Sequence, residues 1–564
     1  MTTKRYSTTL YGEVIRRSQH GRFICRTMGE HAEEFPVDPP AEGLHVGDWI
    51  KVTRSLSRGA PLQVQIDRVF AGTNVVDLAN DVTLDMANVP QRWPEWREST
   101  DVPACVDAQI VAARTDLRDV PFVTIDGSNA RDFDDAVFCE EAASGWRLVV
   151  AIADVAHYVR AGSVLDTEAR QRGTSVYLPD RVIPMLPEAL SNGICSLNPH
   201  EDRLVLACDM QLNTAGEVLN SSFYEAVIRS QARLTYRDVA DFLRNKAVLP
   251  AGTAARRSVL TFYEAYEALL KHAQLRGALD FHTRETFVKT HDGQPTHVFS
   301  VERNHAHQMI ECAMVAANVQ AAEYLERNGL MSLYRVHEKP NEHGTQAVCT
   351  LLQDRGIDVP DSLQEPSQLQ ALLVQIRLHC KPAHIWEFLL LTAMEQAYYG
   401  PTNLGHFGLA LDAYTHFTSP IRRYPDLIVH RLIKSTLTKG ESEALSKDEL
   451  EQLGNETSMC ERRAVTIERK VSGWLKAHLL KRKIGTTFSG TIVGVQPFGA
   501  FVELDDYGIT GLAHVSNLPR DYYVNMGSRL VGEHTNRTFE LGDIVQVRLE
   551  DVQAPAARLS LRLL

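Results

Sequence analysis

Four aspartates crowd one short segment of the chain: Asp126, Asp132, Asp134 and Asp135, in VTIDGSNARDFDDAVF. Carboxylates this close repel one another. A like-charged pair ~4 Å apart costs on the order of 4 kcal/mol at an effective dielectric of about 20. Full solvation, proton uptake or bound cations must offset that repulsion. The neighbours Phe122, Val123, Ile125, Phe133, Ala136, Val137 and Phe138 are apolar and argue against simple solvation. Carboxylate oxygens with retained waters are the ligands that magnesium takes. Two such ions can activate a water and stabilise a leaving oxygen in phosphodiester cleavage. The bland alternative is an acidic surface loop. A calcium loop is a second, but the acids lack the D-x-D-x-D-G ladder and the closing Glu of that motif. The local pattern therefore points to metal binding and leaves the chemistry open.

The elements that must position these acids are strands. PFVTID precedes the segment, Gly127, Ser128 and Asn129 favour a turn, and AVFCE and WRLVVAIADVAHYV follow. They open a large mixed domain, expected over 116–440, that becomes mostly helical. Its clearest helix is Ala306 to Arg327, where Met309, Ile310, Ala313, Met314, Ala317, Ala321 and Leu325 recur at helical spacing, a stripe read as core packing. Before it, residues 1–72 hold TLYGEVIRR, GRFICRT, DWIKVTRS and LQVQIDRVF, short strands that suggest a small barrel of the OB type. Phe23 and Phe35 are read there as core rather than as base-stacking residues. A connector with a short helix is expected over 73–115, and a charged helical extension over 441–485. Residues 486–564 read as a second barrel, with Phe498, Phe501 and His514 suited to stacking on bases. The expected fold class is α+β and multidomain: a central mixed α/β domain flanked by small OB-fold β-barrels.

Composition narrows the setting. At 564 residues the chain exceeds one hydrophobic core. No apolar signal opens it, and the run from Phe388 to Met394 is too short to span a bilayer, so a cytoplasmic protein without a membrane partner is expected. The nine cysteines form no CxxC pair and read as buried thiols rather than zinc ligands or disulfides. A net charge of −12 does not exclude nucleic acid, because binding follows local fields. Base is in local excess between Arg462 and Lys483, either as a solvated helix face or as part of a binding surface.

Five separated stretches occur in order: TDLRDVPFVTIDGSNARDFDDAV, RGTSVYLPDRVIPMLPEALSNGICSLNP, SQARLTYRDV, HQMIECAMVAANV and HFTSPIRRYPDLIVHR. Together they closely resemble the catalytic (RNB) domain of the ribonuclease II/ribonuclease R family, nearer the ribonuclease R branch. The terminal barrel resembles the RNA-binding OB domain of the ribosomal protein S-one type. The resemblance implies a processive 3′–5′ exoribonuclease that hydrolyses single-stranded RNA to nucleoside 5′-monophosphates by a two-metal mechanism. Magnesium is the implied cofactor, with manganese as the alternative, and a monomer is the default. Asp126, Asp132 and Asp135 match the family's metal ligands. Asp134 matches the acid with the most direct catalytic role, itself a metal ligand, and Arg422 the arginine beside the scissile phosphate. Arg423 is left between a site role and a structural ion pair. Tyr177 and Phe287 match the aromatic pair around the 3′-terminal base, with Phe281 a rival for the second place. Tyr236 matches a tyrosine lining the channel end. Glu311 and Glu468 resemble acids that contact terminal nucleotides, a salt bridge being the alternative for each. One departure is Asn129, where many members carry Asp. With one barrel read ahead of the catalytic domain and no lysine-rich tail after Leu564, structured RNA is expected to be digested only from a 3′ overhang.

Overall fold

The computed structural model describes residues 6–28, 32–38, 43–56, 63–71, 74–93, 102–103, 105–282, 284–438 and 445–564. The expected borders at 72–73 and 440–441, and residues 94–101 of the connector, lie outside the described residues. Strands β1 (Tyr6–Arg17), β2 (Phe23–Thr27), β3 (Glu34–Val37), β4 (Trp49–Leu56) and β5 (Gln63–Phe70) form an antiparallel sheet in the order β3-β2-β1-β4-β5. Val14, Phe23, Cys25, Phe35, Val37, Ile50 and Val52 build its buried core, so Phe23 and Phe35 are packing residues. The sheet differs from a closed barrel: β3 and β5 come alongside each other, but no ladder joins them among the described residues. Strand β3 has four residues, and Pro36 among them lacks the N–H a further ladder needs.

Helix α1 (Val75–Met86), capped by the Asn74 side chain on the Asp77 N–H, is the short helix expected in the connector. The central sheet combines β6 (Thr115–Asp116), β7 (Val123–Asp126), β8 (Asp135–Ala142), β9 (Gly145–Ala153), β12 (Asp202–Asn213), β13 (Val218–Arg229) and β14 (Ala232–Thr235). Its order is β14-β7-β8-β9-β12-β13-β6, with parallel pairs at both edges and antiparallel pairs between. Leu148 to Ala153 are all buried, as a continuous apolar run in a strand covered on both faces should be. A hairpin of β10 (Val176–Tyr177) and β11 (Val182–Ile183) stands apart from this sheet.

Helices α2 (Tyr236–Leu243), α3 (Thr253–Arg276) and α4 (His305–Arg327) follow. Met309, Ile310, Ala313, Ala317, Ala321 and Leu325 of α4 are buried in the sheet's core, with Met314 at its edge. Hairpin β15 (Thr286–His291) and β16 (Gln294–Ser300) separates α3 from α4. A second helical group, α5 (Glu342–Gln353), α6 (Pro366–His379) and α7 (Ala383–Thr392), has its own core around Leu372 and Trp386. The short pair β17 (Tyr334–Val336) and β18 (Tyr398–Gly400) brackets it, and α8 (Tyr424–Thr438) returns to the central core.

Helix α9 (Lys447–Lys481) has 35 residues, about 50 Å at 1.5 Å per residue. Ser446 and Glu449 form a reciprocal capping box at its start. The sequence reads it as an extension of one domain, yet it serves as a shared spine. Its Ile467, Val471, Trp474 and Leu475 join a core with Trp49 of the first sheet, Val76 of α1, Val176 of β10, Val288 of β15 and Ile492 of the last barrel. That barrel is closed by β19 (Thr487–Gln496), β20 (Gly499–Leu504), β21 (Ile509–His514), β26 (Arg558–Leu563) and β25 (Ile544–Gln553), with β22 (Tyr523–Asn525), β23 (Arg529–Gly532) and β24 (Thr538–Glu540) as a side sheet. Gly490 is required by close approach: a Cβ there would lie 2.7 Å from the Glu503 carbonyl oxygen.

Candidate active site

The acidic segment is the connection between β7 and β8, with Asp126 at the end of one strand and Asp135 at the start of the next. Its backbone is held from two sides. Arg233 Nη2 donates to the Ser128 and Ala130 carbonyls at 2.7 and 3.1 Å, and its guanidinium lies 5.0 Å from the Phe133 ring centre. Ser196 Oγ accepts the Phe133 N–H at 3.0 Å and donates to the Arg131 carbonyl at 2.8 Å. Neither residue was singled out by sequence reasoning. Arg233 lies in a quoted motif, but its loop contacts depend on the parallel pairing of β14 with β7.

The four acids sit in different surroundings. Asp126 accepts the Gly127 N–H at 2.7 Å. Burial pushes its carboxyl up, and the Asp132 charge adds to that. Burial pushes Asp135 up to about 7, helped by Asp126. Asp134 is 4% exposed and accepts the Ile421 N–H at 2.8 Å through Oδ1. Its Oδ2 has Arg422 Nε at 3.5 Å and no hydrogen bond. Burial raises the Asp134 carboxyl well above the usual range, and Arg422 and the Ile421 N–H offset this only in part.

Such a donor set suits a hard divalent cation. All four side chains offer oxygen only, and a buried carboxylate oxygen without a hydrogen bond is costly until positive charge meets it. Among the described residues, no three His, Cys, Asp or Glu side chains converge into a ready-made cage. Magnesium does not require one, since it keeps several waters and takes only one or two carboxylates.

Arg422 arrives from the turn before α8. Its Nη2 donates to Ser419 Oγ at 2.9 Å, and its carbonyl accepts from Thr174 Oγ1 and the Ser175 N–H. Arg423 points away and pairs with Asp426 at 2.7 Å, the ion-pair role rather than a place beside the acids.

The aromatic candidates stand around this centre. Tyr177 is 39% exposed, and its hydroxyl donates to Asp132 Oδ2 at 2.8 Å. Its backbone N–H donates to Glu468 Oε1 at 3.0 Å, so Glu468 supports Tyr177 rather than forming a salt bridge. Phe287 is 45% exposed on β15, whereas its rival Phe281 packs on the core around Trp386. Lys476, buried although it belongs to the basic run, donates to Thr286 Oγ1 at 2.7 Å and the Gly508 carbonyl at 3.2 Å, tying the Phe287 hairpin to the last barrel. Tyr236 opens α2 next to Thr235, the register partner of Asp126, and stacks on His307 at 3.9 Å between ring centres. Glu311 is ion-paired with Arg303, which also holds Asp280 at 2.7 Å. A cavity of about 1060 Å³ opens beside Glu311 and Arg303, but none of the four acids lines it. On the last barrel Phe498 and His514 are exposed, and the Phe498 and Phe501 rings meet edge-on at 6.1 Å.

Comparison with known families matches the RNB domain over residues 114–439 and the S1 RNA binding domain over residues 481–563. The chain belongs to the RNB family. Divalent-metal dependence is general among RNB nucleases, in keeping with the acidic centre of this RNB domain. Among relatives, ribonuclease R of Escherichia coli (strain K12) is 40% identical over 532 residues, covering 91% of this chain and 65% of that protein. Ribonuclease R of Aquifex aeolicus is 38% identical, covering 91% of this chain and 74% of its own. The chain thus spans just under two thirds of its Escherichia coli relative. Mycoplasma genitalium RNase R, solved in complex with ribose methylated single-stranded RNA, superposes with a TM-score of 0.87 at 27% identity, over 99% of this chain and 89% of that one. No helix among the described residues is long and apolar enough to cross a membrane, and the nine cysteines are all free.

Proposed function

We propose that this RNB protein is a processive 3′–5′ exoribonuclease that hydrolyses single-stranded RNA to nucleoside 5′-monophosphates. The observation that carries the reading is Oδ2 of buried Asp134, which accepts no hydrogen bond and has only Arg422 at 3.5 Å, beside an exposed aromatic bonded to the neighbouring Asp132. In this reading Tyr177 and Phe287 stack on terminal bases, a contact that tolerates any sequence because every base has a π-face. Arg422 meets the phosphate oxygens, where a planar guanidinium can bind two at once and offset developing charge. Asp126, Asp132, Asp134 and Asp135 would hold magnesium, with manganese as the alternative. The ions, when bound, supply Lewis-acid polarisation of the scissile phosphate and a more acidic attacking water. Water adds to phosphorus as the 3′-oxygen of the preceding nucleotide leaves and takes up a proton. In this reading Glu311 and Glu468 exchange their present partners, Arg303 and the Tyr177 N–H, for ribose hydroxyls, a contact that separates RNA from DNA. The protein acts as a monomer in the cytoplasm, and on structured RNA it starts from a 3′ overhang.

The test is digestion of uniformly labelled poly-A in magnesium, with products resolved by size. Nucleoside 5′-monophosphates should appear from the first turnovers, and a blunt duplex should resist. Tight binding without cleavage would replace this reading with an RNA-binding module on a nuclease fold. Failure to bind poly-A would favour hydrolysis of small phosphate esters instead.

A further inference from the structure

The turn that delivers Arg422 is held by one carboxylate outside the acidic cluster. Asp426, at the start of α8, is completely buried. Its Oδ1 accepts the Ser419 backbone N–H at 2.8 Å and Arg423 Nη2 at 2.7 Å. Ser419 passes the constraint on, because its Oγ accepts Arg422 Nη2 at 2.9 Å. Within the same turn the Ile421 N–H reaches Asp134 Oδ1. From the opposite side Thr174 and Ser175, just before Tyr177, grip the Arg422 carbonyl at 3.0 and 3.1 Å.

The Arg423–Asp426 pair is not arranged for the most hydrogen bonds. Asp426 Oδ2 and Arg423 Nε are both buried and unbonded, so the two-pronged pairing open to an arginine and a carboxylate is not formed. Both bonds fall on the single oxygen that also receives the turn's N–H. That geometry suits holding the turn more than simple charge burial.

We propose that Asp426 is a positioning residue for RNA cleavage. Through Ser419 and Arg423 it sets the 419–423 turn so that the Arg422 guanidinium addresses Asp134. Asp426 has no exposed surface to offer a substrate, so in this proposal it acts through Arg422. The proposal rests on the hydrolytic reading above.

The test is single-turnover cleavage of 5′-labelled poly-A in magnesium by the native protein, Asp426→Asn, Arg422→Ala and the double variant. Asn keeps an acceptor for the Ser419 N–H but loses the charge that orients Arg423. Asp426→Asn should slow cleavage by roughly 10- to 100-fold while poly-A affinity stays within about 3-fold. In the Arg422→Ala background the same substitution should slow it by less than about 3-fold, because the group it positions is gone. Equal factors in both backgrounds would show a structural role and overturn the proposal. If Asp426→Asn does not fold, Ser419→Ala carries the same cycle, with the same expectation and the same overturning result. A native protein that binds poly-A without shortening it defeats the hydrolytic reading and this proposal together. Additive losses in a cleaving protein defeat this proposal alone.

Discussion

Asp134 and Asp154 are both buried carboxylates at the ends of central-sheet elements, yet their surroundings are opposite. Asp154 has Arg114 Nη2 at 2.6 Å and Lys434 Nζ at 2.6 and 2.7 Å. Burial pushes its carboxyl up, but Lys434 and Arg114 together outweigh burial and hold it well below the usual range. Asp134 has one arginine at 3.5 Å and an oxygen with no hydrogen bond. Burial there is not outweighed, and the carboxyl is pushed up. One site is finished within the chain, while the other keeps an unmet demand for positive charge. Unmet demand of this kind marks where chemistry is done, because strain persists at sites whose purpose lies outside the folded chain.

The largest effect should come from removing the Asp134 charge. Asp134→Asn should lower poly-A cleavage on the order of 10³-fold, with thermal stability unchanged or slightly raised. Melting curves recorded beside cleavage rates check both halves, and a lowered Tm would erase the contrast. The converse change, Asp154→Asn, leaves Arg114 and Lys434 sharing the single carboxylate of Glu225 and should destabilise the fold by about 3 kcal/mol. The fraction that remains folded should still cleave, which denaturant melts paired with active-site titration would show.

The same comparison has a pH signature. A carboxyl depressed in the folded state stabilises above its unfolded value near ~3.9 and loses that stabilisation as pH falls through the folded value. The stability gap between native protein and Asp154→Asn should therefore be full near pH 6 and shrink progressively below about pH 4. A gap constant down to pH 3 would contradict the assignment. The smallest effect sharpens the contrast between Phe287 and Phe281. Phe287→Ala should weaken poly-A binding by ~1–3 kcal/mol with little change in Tm, whereas Phe281→Ala should lower Tm and leave binding intact. Anisotropy titrations and melts of both variants decide it.

Much of this was legible in residues close together in the chain. The four acids fall within ten residues of one another and announce themselves. The α4 stripe and the buried β9 run follow from periodicity. Other parts depend on long-range pairing that local pattern cannot encode. Ile421 meets Asp134 across 287 positions, and Thr174 meets Arg422 across 248. The basic run from Arg462 to Lys483, along α9 and just past its end, illustrates the limit from another side. Six of its eight cations are exposed, but Arg463 is half-buried and Lys476 is buried. Which face of a helix is covered depends on what folds onto it. The open edge of the first sheet was readable in principle from Pro36, a residue the strand pattern alone passed over.

The most direct test of the central claim uses a 5′-labelled poly-A strand in magnesium, with the native protein beside Asp134→Asn. The native protein should shorten the strand stepwise to a product of a few nucleotides, and the variant should bind it with near-native affinity and leave it whole. Cleavage of equal rate by both would place the chemistry away from Asp134 and contradict the account.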